Sequence, residues 1–137
     1  MHEFQEKVKQ SKQQLSSIKG FIVALVFFVI IIAIANPLSS WLAERGFKEG
    51  KTEYVYLAAA TKRNLLNYET AEELYRRLIK TFPQKNEAAF YQLAFCLDRQ
   101  TKKKEAIEAY SEYLKYFPSG EFSLKAQEKL KVLISKN

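Results

Sequence analysis

One cysteine, Cys96, and one histidine, His2, are all this chain offers toward a nucleophile and its base. A reactive thiol needs a lowered pKa, supplied by an adjacent cation, a histidine or a helix N-terminus. Cys96 sits between Phe95 and Leu97 with no basic neighbour, which reads as an inert buried thiol. A single cysteine closes no intramolecular disulfide, and a single histidine removes most metal and His-base chemistry. The acid pairs Glu72-Glu73 and Glu105/Glu108 have Lys or Arg at helical spacing, and so read as surface ion pairs rather than an acid/base dyad. Lys102-Lys103-Lys104 could meet phosphates or an acidic partner, but a basic run between helices reads first as a solvated turn. No glycine-rich phosphate loop, paired-cysteine motif or Ser/His/Asp set is present. The expectation is therefore no enzyme, no catalytic residue, no metal, no cofactor and no small-molecule substrate. What remains is a complement of eight Tyr and ten Phe among many Lys and Arg, suited to recognising other proteins.

The elements that would position those aromatics repeat. Slid by 35 residues, Ala71, Tyr75, Phe82 and Pro83 fall on Ala106, Tyr110, Phe117 and Pro118, and Val55, Tyr56, Ala58 and Ala59 fall on Phe90, Tyr91, Leu93 and Ala94. A fixed period of this size signals helix pairs that bury their apolar faces only by stacking. Each unit reads as helix A, a polar turn, then helix B ended by Phe-Pro, since proline cannot continue a helix. Repeat one is expected over 52–83 and repeat two over 87–118. A capping helix follows over 121–134, with Phe122, Ala126, Leu130, Leu133 and Ile134 as its apolar stripe and Lys125, Lys129 and Lys136 outside it. Leu93 and Tyr110 are placed at the seam. Two repeats are few, so either the helix around Trp41 to Gly46 packs on the first unit or a partner completes the stack.

The formal charge of +7 is spread out: seven Lys or Arg against four Glu up to Lys51, and fifteen against eleven acids beyond it. No basic cluster interleaves with aromatics, so nucleic acid is not an expected partner.

Phe21 to Ala35 is wholly apolar. With its flanks it reaches the roughly 20 residues of a spanning helix, giving a span over 20–42 with Lys19 snorkelling, Trp41 as interfacial anchor and a linker over 43–51. Asn36-Pro37 is expected to end or kink that helix. The other reading is a cleaved signal peptide, with Ala33-Ile34-Ala35 as the processing site. Residues 1–19 form a basic leader with a stripe of Phe4, Val8, Leu15 and Ile18, with Ser11 in its gap. It reads as an amphipathic helix on lipid or on a partner's helix, or as a frayed extension of the span. Lys7, Lys9, Lys12 and Lys19 precede the span and Arg45, Lys48 and Lys51 follow it. That excess puts the N-terminus in the cytoplasm and the repeats in the periplasm or lumen.

The helix pairs resemble the tetratricopeptide repeat family over roughly Thr52 to Pro118. The resemblance is carried by Phe90 and Leu93-Ala94 in helix A, by Ala71, Tyr75 and Pro83 in one helix B, and by Ala106, Tyr110 and Pro118 in the other. The chain departs from the pattern at the turns, where Leu66 and Thr101 replace the usual glycine, and in the first helix A, with Val55 and Ala58 for bulkier residues. The phrasing looks most like bacterial envelope members. The resemblance implies an all-α fold: a single N-terminal transmembrane helix, then a short solenoid of two repeats and a cap. It also implies a concave groove lined by the A helices, here Tyr56, Ala60, Arg63 and Asn64, then Tyr91, Phe95, Asp98 and Arg99. Family members that clamp a chaperone's C-terminal carboxylate use lysine and asparagine in such a groove. Tyr56, Ala60, Tyr91 and Phe95 suit a helix or extended apolar segment better.

The function expected is a membrane-anchored adaptor that binds proteins, such as subunits of a membrane complex, and meets lipid through its span. Two alternatives stand beside it: an accessory subunit whose span packs into a larger complex, and a secreted soluble adaptor.

Overall fold

The computed structural model describes residues 1–83 and 86–135, apart from the side chains of residues 2, 3, 8 and 10–13, so Val8 and Ser11 of the leader stripe and Lys136 of the cap lie outside the description. The described residues form six helices: α1 (His2–Glu49), α2 (Thr52–Asn64), α3 (Tyr68–Thr81), α4 (Glu87–Arg99), α5 (Lys103–Tyr116) and α6 (Ser123–Ser135). They divide into two compact units, Met1–Ala35 and Asn36–Asn137.

The first unit is helical, and Phe21 to Ile31 lies largely exposed. Among the described residues one helical stretch, Gln14–Glu49, is long and apolar enough to cross a membrane, with an 18-residue window of mean hydropathy 2.9.

The helix does not end at Asn36-Pro37. It runs on to Glu49 with Pro37 inside it. Ser39 and Ser40 hydroxyls donate to the Asn36 carbonyl at 2.8 and 3.3 Å. The stretch from Asn36 belongs to the second unit. There Ser39 and Ala43 are buried, Gly46 abuts Val55 and Tyr54, and Arg77 pairs with Glu44 at 2.7 Å while lying over the Phe47 ring at 3.8 Å. Phe47 precedes Phe82 and Phe117 by one and two periods, so this segment stands where the helix B of a preceding unit would. Of the two ways to complete a short stack, the chain uses its own helix at this end.

Within the second unit α3 packs on α2, α4 on α3, α5 on α4 and α6 on α5. Small residues with no exposed surface, Ala58, Ala59, Ala71, Ala94 and Ala106, let the backbones approach, and Tyr75, Tyr110, Tyr113, Leu78 and Leu97 fill the space between. The helix ends follow from local chemistry. Asn67 caps α3 by accepting from the Thr70 N–H, satisfying one orphan donor of the first turn. Phe82 and Phe117 close α3 and α5 through N–H bonds to Leu78 and Tyr113, with the extended φ that a residue before proline must take. Both A-to-B turns share one geometry. Asn67 N–H reaches the Lys62 carbonyl and Leu66 N–H that of Arg63, and Lys102 N–H reaches Leu97 and Thr101 N–H reaches Asp98. This paired closure puts one residue in the left-handed region. Here those residues are Leu66, φ 62°, and Thr101, φ 60°, where glycine would be unstrained.

Candidate functional site

The A helices α2 and α4 carry the residues the family resemblance assigns to a groove. Tyr56 is half-buried, its ring edge-on to Tyr75 at 5.8 Å. Arg63, half-buried, joins the two helices by donating from Nη1 to Gln92 Oε1, and from Nη2 to the exposed Asn64 at 3.0 Å. Phe95 is half-buried against Tyr68, 6.3 Å between centroids, and the exposed Arg99 guanidinium lies over that same Tyr68 ring at 5.6 Å. Asp98 is half-buried, with Lys129 Nζ at 3.6 Å. Ala60 is half-buried between these larger side chains in sequence. Phe95, Arg99 and Tyr68 thus gather at one end of α4, while Arg63 and Gln92 bridge the helices. Gln92 and Tyr68 carry no signal in the sequence that marks them for this face. Lys129 was placed on the cap's outer face, whereas it turns to Asp98.

Tyr91 does not line an open face. Only 9% of its surface is exposed, and Phe122 stacks on it at 4.6 Å with rings 14° from parallel, while Tyr110 and Tyr113 close its edges at 5.8 and 5.9 Å. The cause lies in the chain entering α6. Glu87 Oε1 accepts from the Tyr113 hydroxyl at 2.6 Å and from Glu121 N–H at 2.7 Å, and the Tyr113 oxygen accepts from Phe122 N–H at 3.0 Å. These bonds press Phe122 down on Tyr91. Burial and the Glu87 bond push the Tyr113 hydroxyl up to about 12, and burial raises Tyr91. A Cβ on Gly120 would run into the Glu87 carboxylate and the Tyr113 hydroxyl, so a larger residue at this crossing has to displace that hydrogen-bonded pair. One period before Phe122 the chain has Glu87, so Tyr56 lacks the equivalent aromatic cover and stays half-open.

Glu72 is likewise not a surface pair. It is 7% exposed and accepts from Arg76 at 2.8 Å, Gln100 at 2.8 Å and Lys102 at 2.9 Å, and Arg76 also reaches Glu105 at 3.2 Å. Burial would raise its pKa, but hydrogen bonds from Lys102, Arg76 and Gln100 outweigh that and hold the carboxyl below its ordinary value. Lys102, expected to be solvated, therefore ties the second turn to α3 of repeat one, because the turn geometry points its side chain back at Glu72. Cys96 is fully buried, and burial pushes its thiol up to about 12, far from a nucleophile's range.

A second concave surface lies at the Phe-Pro ends of the B helices. Ile79 and Pro83 from repeat one and Phe90, Glu112, Tyr116 and Phe117 from repeat two line a cleft of about 500 Å³. Its only sequence signal was the recurrence of Phe-Pro. Among the described residues no group of His, Cys, Asp or Glu could hold a metal ion.

No curated protein matches the chain as a relative. The profile of the tetratricopeptide repeat family matches residues 53–85 and 88–120, the two units whose helix pairs, Phe-Pro stops and alanine seams are described above. With both repeats matched in tandem and folded as helical hairpins, the chain belongs to the tetratricopeptide repeat family.

Proposed function

We propose that this protein is a membrane-anchored adaptor whose A-helix face docks a protein partner at the membrane surface. The observation that carries the reading is the open face of α2 and α4, where Tyr56, Arg63, Phe95 and Arg99 offer aromatic and guanidinium surface beside polar neighbours. Arginine and tyrosine dominate binding hot spots, and their residue types favour a helix or an extended apolar segment as ligand. The uncharged run Phe21 to Ala35 acts as an uncleaved anchor with its N-terminus in the cytoplasm and the repeats in the periplasm or lumen. Anchoring confines the face to two dimensions and raises the effective concentration of a membrane partner, so weak contacts suffice. The partners are subunits of a membrane complex, and the envelope is the compartment that the sequence phrasing supports.

Phe95→Ala with Arg99→Ala in the full chain should weaken binding to the protein that co-purifies in mild detergent by about 1–3 kcal/mol, with helical content retained. Tyr91 is unsuitable for this test because it is buried. Undiminished binding, with loss only on replacing residues 20–35 by an unrelated span, would establish the accessory-subunit reading instead. A mature N-terminus at Asn36 would overturn the anchor and leave a secreted adaptor.

A further inference from the structure

The chain has five arginines, and their surroundings are of two kinds. Arg45, Arg76 and Arg77 each hold a carboxylate, Glu49 at 2.7 Å, Glu72 at 2.8 Å and Glu44 at 2.7 Å. Arg63 and Arg99, the two on the A helices, pair with no carboxylate among the described residues. Arg63 directs its donors to neutral amides, the side chains of Gln92 and Asn64. The exposed Arg99 makes no hydrogen bond among the described residues and lies over the Tyr68 ring at 5.6 Å. Both stand in the last turn of their helix, where the helix dipole favours a cation without engaging the guanidinium's fork of N–H donors. The acid that shares this face, Asp98, is met by Lys129 at 3.6 Å. The A-helix face thus presents guanidinium donors without the carboxylates that arginine finds elsewhere in the fold.

The apolar part of the same face follows from the repeat. One period after Phe95 and Arg99 come Leu130 and Ile134 on α6. Leu130 is half-buried, as Phe95 is, and Ile134 is exposed. At the place equivalent to Arg99, the last helix therefore carries an aliphatic side chain. Along the solenoid the face passes from guanidinium on α2 and α4 to aliphatic surface on α6.

We propose that the A-helix face takes an internal segment of a partner protein that is acidic in one half and apolar in the other. Its Asp or Glu side chains meet Arg63 and Arg99, and its apolar residues meet Phe95, Leu130 and Ile134. The inference rests on the reading that this face docks a protein, and it names that partner's chemistry. A guanidinium binds a carboxylate through two parallel N–H bonds, stronger than its bonds to neutral amides. An incoming carboxylate therefore displaces Gln92 and Asn64 from Arg63 and gives Arg99 the partner it lacks. Two guanidiniums on successive A helices call for two carboxylates. A chain terminus offers one, so the occupant is a segment with acidic side chains rather than a free C-terminus.

The test titrates the full chain in a mild uncharged detergent with short fluorescent peptides, read by anisotropy against empty micelles. One peptide carries glutamates in one half and leucines in the other, is made in both orders and is amidated at its C-terminus. A second has glutamine for every glutamate, and a third is that glutamine peptide with a free terminal carboxylate. The expected result is that the glutamate peptide, in one of its orders, binds at least about tenfold tighter than either glutamine peptide, the scale of a charge-assisted bond pair. Arg63→Gln with Arg99→Gln should remove that preference. Arg99→Gln alone, at an exposed residue that holds no hydrogen bond among the described residues, should remove part of it with the fold intact. Lys104→Gln with Lys115→Gln takes the same charge from exposed positions on α5 and should leave the preference whole. Equal binding of the glutamate and glutamine peptides would overturn this inference; the docking face would stand if Phe95→Ala weakened both, and fall if it weakened neither. A preference that survives the arginine double variant, drops as far with the lysine pair, or is matched by the free terminus would also overturn it. No binding of any peptide would overturn the docking face, and this inference with it.

Discussion

Replacing Thr101 by glycine should stabilise the repeat unit although it removes side-chain atoms. Thr101 holds φ at 60°, a region that costs an L-residue about 1–2 kcal/mol and suits a β-branched one least. Its side chain is exposed, so little packing is lost, and the backbone bonds from Thr101 to Asp98 and from Lys102 to Leu97, at 3.0 and 3.1 Å, are untouched. Against the released strain stands the larger unfolded-state entropy of glycine, about 0.5–1 kcal/mol. The balance is a gain of about 0.5–1 kcal/mol, or a rise in melting temperature of about 2–8 °C for a domain of this size. Thermal unfolding of the full chain in detergent, followed by far-ultraviolet circular dichroism, measures it. Thr101→Ala keeps the Cβ and should stay within a few tenths of wild type. The reasoning fails if the glycine variant melts no higher than wild type, or if alanine gains as much as glycine.

Three further outcomes follow from buried polar groups. Glu72→Gln should cost about 1–3 kcal/mol at neutral pH, the worth of charge-assisted bonds to Lys102 and Arg76. Because the folded carboxyl titrates below its unfolded value, this contribution is present above the ordinary glutamate pKa and is lost as pH falls through the depressed one. Melts from pH 7 down to pH 3 should show wild type and Glu72→Gln converging, and parallel curves would refute it. Tyr75 and Tyr110 hydroxyls are buried without a hydrogen-bond partner among the described residues. Tyr110→Phe should therefore be neutral or stabilising by up to about 1 kcal/mol, whereas Tyr113→Phe, which strips Phe122 N–H of its acceptor and Glu87 of one of its two donors, should destabilise by about 1–3 kcal/mol. Equal effects in denaturant unfolding would contradict the assignment. Gly120→Ala should free the start of α6 by forcing Glu87 and Tyr113 apart, seen as faster amide exchange at Glu121 and Phe122, and unchanged protection there would count against it.

The period of 35 residues, the Phe-Pro stops and the alanines at the seams were legible because they answer to local or nearest-neighbour physics. A helix pair must bury one face, proline must end a helix, and close backbones require small side chains. The departure at Leu66 and Thr101 was legible too, since a missing glycine at a turn is visible without coordinates. The left-handed φ at both positions came only with the structure. What tertiary structure alone decided involves residues a long way apart along the chain. Tyr91 and Tyr56 occupy equivalent places in the repeat, yet Phe122 covers one and, among the described residues, no aromatic ring stacks on the other in the same way, because the chain after Gly120 is tied down to Glu87 and Tyr113. Glu72 looked like one of several helical ion-pair partners until the second turn brought Gln100 and Lys102 onto it from about one period away. Asn36-Pro37 looked like a stop, but Ser39, Ser40 and Lys62 supply hydrogen bonds to Asn36 and the helix runs through. Repetition in sequence sets which positions are equivalent. Burial, charge and exposure at those positions depend on what the neighbouring turn of chain lays over them, and that is a property of the packed solenoid.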